Sequence, residues 1–168
     1  MMETVFGYRL TFPRPRHIIP SVMTELLIKK LSPHAHPPER AKEGDLGYDL
    51  FCSERTVIPA GKTIAVPTGI AVQFPHGWGA VIKDRSSMAM RQVMVSAGVI
   101  DNGYRGEIKV AMTNHSGVEI IMETGQKIAQ MIPVPVTGWL VREVDQLSGS
   151  ERGEGGFGST GSHGPAGK

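Results

Sequence analysis

The chain has 168 residues, with 21 glycines, 12 prolines, one cysteine and 40% apolar residues, enough for one domain and too little for two cores and a linker. Glycine at about one residue in eight, against a usual share of roughly 7%, argues against a helical bundle, while the lone Cys52 excludes an intrachain disulfide and no C-x-x-C or H-E-x-x-H spacing offers a structural zinc site. The net charge of +2 sits wholly in Met1–Val22, so Met23–Lys168 carries 15 basic and 15 acidic residues; that neutral body argues against a nucleic-acid binder, and no apolar run is long enough for a membrane span.

Six of the prolines fall before Gly44, in runs such as Phe12-Pro13-Arg14-Pro15-Arg16 and Pro33-His34-Ala35-His36-Pro37-Pro38, which favour extended backbone. Residues 1–22 are expected to be a disordered extension or the product of an upstream start codon, with Met23 as the true start. An Arg-bearing transit peptide is the alternative, against which stands Ser21 as its sole serine. Thr24–Leu31 reads as a first strand. His34-Ala35-His36 has metal-like spacing but, among prolines, reads as a solvated loop.

From Tyr48 to Val144 short runs of period two are separated by turn residues, the pattern of an all-β sandwich or barrel. Ile70, Val72 and Phe74 alternate with polar or small residues, as do Ile108, Val110 and Met112 in Glu107–Thr113, and Val118, Ile120 and Met122 recur at the same spacing. Lys127–Val134 and Trp139–Val144 supply later strands. Pro67, Pro75, Pro133 and Pro135 are expected at run edges. Ser87–Gln92 invites a short helical turn, and Met88, Met90 and Met94 read as packing residues. Between the Val93–Ile100 run and the Glu107 run, Asn102-Gly103 signals a type I′ hairpin. The expected fold is a small antiparallel jelly roll or β-barrel over residues 23–147.

Residues 148–168 hold eight of the glycines and would form a flexible arm. Yet Glu151-Arg152-Gly153-Glu154-Gly155-Gly156-Phe157-Gly158-Ser159-Thr160-Gly161 places one Arg, one aromatic ring and a Gly-Ser-Thr-Gly sequence at fixed offsets. These are ingredients for charge pairing, base stacking and contact with phosphate.

Four more segments carry chemistry. Gly47-Tyr48-Asp49-Leu50 offers a carboxylate at a strand start. Arg85-Ser86-Ser87 presents a guanidinium and two hydroxyls to an anion. Gly125-Gln126-Lys127-Ile128-Ala129-Gln130 is a turn entering a strand. Ala97-Gly98-Val99-Ile100-Asp101-Asn102-Gly103-Tyr104-Arg105-Gly106-Glu107 crowds a carboxylate, a ring and an Arg around a tight turn. In this order, over Thr24–Gly161, the five segments resemble the five motifs of the trimeric deoxyuridine triphosphatases (dUTPases), the third and fifth nearly residue for residue.

The resemblance implies a jelly-roll homotrimer whose three active sites are each built by several chains, the Gly-rich arm closing over a neighbour's site. It implies hydrolysis of dUTP to dUMP and pyrophosphate with Mg²⁺, by water attack at the α-phosphorus, in the cytoplasm and without nucleic-acid or membrane partners. Asp101 would position and deprotonate the water. Arg85, Ser86, Ser87 and Gln126 would hold the phosphates, and Asp49 would be an outer-shell ligand of Mg²⁺ through water. The backbone of Gly98, Val99, Ile100 and Asp101, with that of Lys109, would read uracil, and Tyr104 would lie against the deoxyribose. Arg152, Gly158, Ser159 and Thr160 would grip the terminal phosphate, and Phe157 would cover the base.

Two positions depart from the pattern. The second motif usually begins with Pro and has Gly after the Ser, where this chain has Asp84 and Ser87. Arg-Ser-Ser is the form of the homologous dCTP deaminases, the enzymatic rival alone or as a bifunctional deaminase and hydrolase. Those enzymes carry a catalytic Glu in the following strand where this chain has Ala111, and an Arg where it has Met90. A non-catalytic nucleotide-sensing regulator on the same scaffold is the reading from another class.

Overall fold

In the computed structural model, which describes residues 25–151 and 153–154, the clearest alternation of the sequence becomes the central strand of a sheet. This strand, β8 (Glu107–Asn114), buries Ile108, Val110 and Met112 completely and turns Glu107, Lys109, Ala111 and Thr113 outward. Before it in the chain come β1 (Leu27–Lys30), β2 (Tyr48–Phe51), β3 (Thr56–Ile58), β4 (Thr63–Gln73), β5 (Trp78–Asp84), the single-turn α1 (Ser86–Ala89), β6 (Val93–Val95) and β7 (Val99–Ile100). After it come β9 (Ile120–Met122) and β10 (Lys127–Pro135).

All pairings are antiparallel and form two four-stranded sheets, ordered β1-β4-β8-β6 and β2-β10-β5-β7, with a small β3-β9 pair. One core joins them: Val66, Ile70 and Val110 from the first sheet meet Leu50, Ile82, Ile128 and Met131 from the second. The fold is the antiparallel jelly roll. Because every large core side chain is almost wholly buried, truncating Ile108 or Met112 to Ala costs about 2–5 kcal/mol.

Where the periodic reading and the molecule differ, a long-range bond or a missing neighbour is the cause. The Val93–Ile100 run is two strands in two sheets, β6 beside β8 and β7 beside β5, so Ser96–Gly98 crosses between them. Asn102-Gly103 is not a type I′ hairpin: β7 and β8 do not pair, and neither residue has positive φ. The turn closes instead through Tyr104 N–H donating to the Asp101 carbonyl at 3.1 Å. Val118 is 66% exposed. It sits in a turn held by the buried Asn114, whose Nδ2 donates to the Val118 and Ile58 carbonyls at 2.7 and 2.9 Å.

Pro67 and Pro133 lie inside β4 and β10 rather than at their edges. Pro67 stands where the β4–β8 register shifts, and Pro133 stands beyond Met131, the last partner of β2, so neither position requires a donor on both sides. The Met cluster divides, with Met88 in the core and Met90 and Met94 exposed.

The chain divides into two units, Met1–Val136 and Thr137–Lys168. Among its described residues the second unit holds no strand, and the strand expected over Trp139–Val144 is absent. Its apolar side chains, Trp139 at 85% exposure among them, have no hydrogen-bonded neighbouring strand among the described residues to make an extended segment a sheet. The expected extension 1–22 and the arm residues Arg152, Phe157, Gly158, Ser159 and Thr160 lie outside the described residues.

Candidate active site

Two concavities carry the chemistry. The first, a cleft of about 560 Å³, is lined by Val99, Ile100, Asp101, Tyr104, Glu107 and Lys109. It exists because β7 is pinned to β5, with Val99 opposite Val81 and Ile100 opposite Ala80. Gly98 makes the approach: its carbonyl accepts from Ile82 N–H at 2.7 Å, and a Cβ there would stand 2.7 Å from the Ile82 carbonyl oxygen. A side chain at that position would push β7 off the sheet.

Beyond Ile100 the chain leaves the sheet carrying the exposed Asp101. Asn102 fastens this corner, its Nδ2 donating to the carbonyls of Pro75 at 2.8 Å and Trp78 at 2.6 Å. The Tyr104 hydroxyl donates to the Glu107 carbonyl at 2.8 Å, and Arg105 Nη1 donates to the carbonyls of Asn102 and Tyr104, both at 2.8 Å. The base candidate therefore rides on a corner held mostly by neutral hydrogen bonds to backbone.

The second concavity, a groove of about 280 Å³, includes Asp45, Gly47, Asp49, Arg85, Ser86 and Gln130 in its lining. Asp49, its side chain 13% exposed, is ion-paired on both oxygens: Oδ1 lies 3.0 Å from Arg85 Nε and Oδ2 lies 2.8 Å from Lys127 Nζ. Lys127 also reaches Glu39 at 3.4 Å. Its hydrogen bond to Asp49 holds the ammonium pKa above the usual lysine value. Arg85 Nη1 donates to the Lys127 carbonyl at 3.3 Å, so the guanidinium is fixed in direction.

Gln130 stands opposite Asp49 in the β2–β10 register and donates through Nε2 to the Asp84 carbonyl at 2.8 Å. Gln126 instead turns its Oε1 to Glu123 N–H at 2.9 Å within its own turn and does not line the groove. Ser86 and Ser87 open α1 with exposed side chains. Asp84, which stands where the second motif usually has Pro, points its carboxylate at Val95 N–H. It ties β5 to β6 and stays out of the groove lining.

Of the expected residues, Val99, Ile100, Asp101, Tyr104 and Lys109 thus meet in one place, and Asp49, Arg85 and Ser86 meet in another. The two places are apart. Arg85 lies five positions beyond Ala80, the register partner of Ile100, or about 16 Å of strand at roughly 3.3 Å per residue. Sequence reasoning did not single out Glu107, Lys127 or Gln130. Gln130 joins Asp49 only through strand register, which the order of residues in the Gly125–Gln130 segment does not reveal.

A divalent ion has a limited donor set here. Among the described residues no three His, Cys, Asp or Glu side chains come together, and Asp49 already faces two cations. Such a set fits Mg²⁺ that keeps its water and takes oxygens from a polyphosphate, and not an ion caged by protein.

The family model that matches the chain is that of dUTPase, over residues 33–161. The deoxyuridine 5'-triphosphate nucleotidohydrolase of Clostridium acetobutylicum is 46% identical over 142 residues, covering 83% of this chain and 98% of that protein. The enzyme of the same name from Oryza sativa subsp. japonica is 41% identical over 148 residues, covering 88% and 86%. Among solved structures, Staphylococcus bacteriophage 80alpha dUTPase with dUPNHPP superposes with a TM-score of 0.76 at 29% identity, over 82% of this chain and 98% of that one. A phage phi11 dUTPase mutant, whose structure describes a structural Mg(II) ion, is 23% identical with a TM-score of 0.69 over 74% and 99%, and shares the fold. With three quarters of its length matched by the family model and the sequence likeness extending from clostridia to rice, the chain belongs to the dUTPase family.

Proposed function

We propose that the protein hydrolyses dUTP to dUMP and pyrophosphate, with nucleoside recognition in the Asp101 cleft and phosphate binding at the Arg85 groove. The observation that carries this reading is the convergence of Val99, Ile100, Asp101, Tyr104 and Lys109 on one cleft of about 560 Å³. In the proposed step the Asp101 carboxylate takes a proton from water while the water oxygen bonds to the α-phosphorus. The bond from that phosphorus to the α–β bridging oxygen breaks, and pyrophosphate leaves. A positioned base supplies about 10²–10⁴ in rate; fixed cations at the phosphates supply much of the remainder.

Recognition is divided by chemistry. Backbone of Gly98–Asp101 and Lys109 meets the uracil edge, and the Tyr104 ring meets the deoxyribose, so a ribose hydroxyl would lose water against an apolar face, at about 1–3 kcal/mol. Arg85, with Ser86, Ser87 and Gln130, holds phosphate oxygens; Gln130 takes the place expected of Gln126 because it lines the groove. Magnesium held on the triphosphate, with Asp49 as an outer partner through water, would neutralise phosphate charge when bound.

The separation of cleft and groove supports a site completed between chains, hence a homotrimer, with residues 148–168 as an arm bringing Arg152, Phe157, Gly158, Ser159 and Thr160 to a neighbour's substrate. A cytoplasmic location belongs to the same proposal; separately, among the described residues no helix is long and apolar enough to cross a membrane. Deamination finds no support at Ala111, whose methyl group can neither donate nor accept a proton.

The test offers the protein each deoxynucleoside triphosphate and UTP with Mg²⁺ and follows pyrophosphate and ammonia separately. Pyrophosphate from dUTP alone is expected. Ammonia from dCTP would overturn the reading.

A further inference from the structure

We infer that Glu107 is a positioning residue that holds the Lys109 ammonium away from Asp101 and so keeps the catalytic carboxylate unpaired. The inference rests on the proposed role of Asp101. The cleft contains one cation and two carboxylates on its lining, Lys109 with Asp101 and Glu107, and a lysine beside an exposed base is a natural competitor for it. The pairing observed is with Glu107, whose Oε2 lies 3.5 Å from Lys109 Nζ. These residues are neighbours on the outward face of β8. Among the described residues no carboxylate other than that of Glu107 lies within ion-pair distance of Lys109.

Glu107 is itself held in place. Its Oε1 accepts from Gly69 N–H at 2.9 Å, at the shift in register between β4 and β8. Gly69 has φ +66°, and a Cβ there would meet Ala35, Ser32 and Ser53 side chains at 3.0 Å, so this donor sits at a position only glycine fits. The Glu107 carbonyl accepts the Tyr104 hydroxyl. One carboxylate therefore spans a rigid backbone donor and a mobile lysine. The other polar side chains of the Asp101 loop do not replace it: the Arg105 guanidinium is engaged with the carbonyls of its own loop, and the neutral Tyr104 hydroxyl donates to backbone. Without the negative charge at Glu107, Lys109 would turn to Asp101.

Glu107→Gln keeps an acceptor for Gly69 N–H and removes only the charge, which separates positioning from structural support. In this variant kcat for dUTP should fall about fivefold, the population effect of one exposed ion pair, with KM within about twofold. Adding Lys109→Met, which removes the ammonium and keeps the backbone that meets uracil, to Glu107→Gln should return kcat toward the wild-type value, a rescue that a purely structural role does not produce. A crystal structure of Glu107→Gln should show Lys109 Nζ within about 4 Å of the Asp101 carboxylate. Lys109 remaining away from Asp101 in that structure overturns the inference whether or not dUTP is a substrate, as does an unchanged kcat or a double variant no faster than the single one. Wild-type protein that leaves dUTP intact would overturn the functional reading by itself.

Discussion

The cleft and the groove are built on opposite principles. The cleft is shaped mostly by neutral hydrogen bonds to backbone, donated by the Asn102 and Tyr104 side chains and accepted by the Gly98 carbonyl, and its base candidate Asp101 is exposed. The groove is organised by charge, with Arg85 and Lys127 both resting on a largely buried Asp49. A neutral base and sugar are distinguished by shape and donor order, which requires a backbone that does not yield. A triphosphate is recognised by charge, and cations anchored on a carboxylate stay oriented before it arrives.

Breaking each half should therefore leave a different signature. The largest effect is expected for Asp101→Asn, with kcat for dUTP reduced by about 10²–10⁴ while dUTP binding, measured by calorimetry, is largely retained. Next, Arg85→Gln should raise KM by about tenfold or more, since a hydrogen bond to a charged group is worth roughly 1.5–3 kcal/mol, and the remaining dependence of KM on salt should weaken. Salt should leave the preference for dUTP over UTP nearly unchanged, because that choice belongs to the cleft.

Asn102→Ala should destabilise the protein by about 1–3 kcal/mol, by removing the donor to two partly buried carbonyls, visible as a lower urea midpoint and a lower kcat. The smallest effect concerns Lys127. Its pKa is raised in the folded protein chiefly by the hydrogen bond to Asp49. That contribution is fully present below the unfolded lysine value of about 10.4 and is lost as pH rises through the higher folded value. Urea stabilities of wild type and Lys127→Met should differ by a constant amount across neutral pH and converge only in strong alkali.

Legibility followed the range of the interactions. Ile108, Val110 and Met112 announce β8 because period two is a local property, and Lys127–Val134 announces β10 for the same reason. The Asn102-Gly103 turn departs from its local signal because the Asn side chain bonds Pro75 and Trp78, residues 27 and 24 positions away, and those bonds outweigh the local preference for positive φ. The sequence reading points to Gln126, whereas register sets Gln130 opposite Asp49. Trp139–Val144 has the pattern of a strand, yet a strand exists only with a partner.

By itself the sequence determined the fold class and the family and marked the candidate site residues, because these reside in periodicity and in motifs that are contiguous along the chain. The tertiary structure alone decided which of those residues share a surface. It joined Asp101 to Glu107 and Lys109 and joined Arg85 to Asp49, Lys127 and Gln130. It also turned Asp84 away to Val95. The physical reason is register: in an antiparallel sheet a side chain's neighbours are set by hydrogen bonds between strands distant in sequence, and a shift of one residue would exchange every neighbour it has.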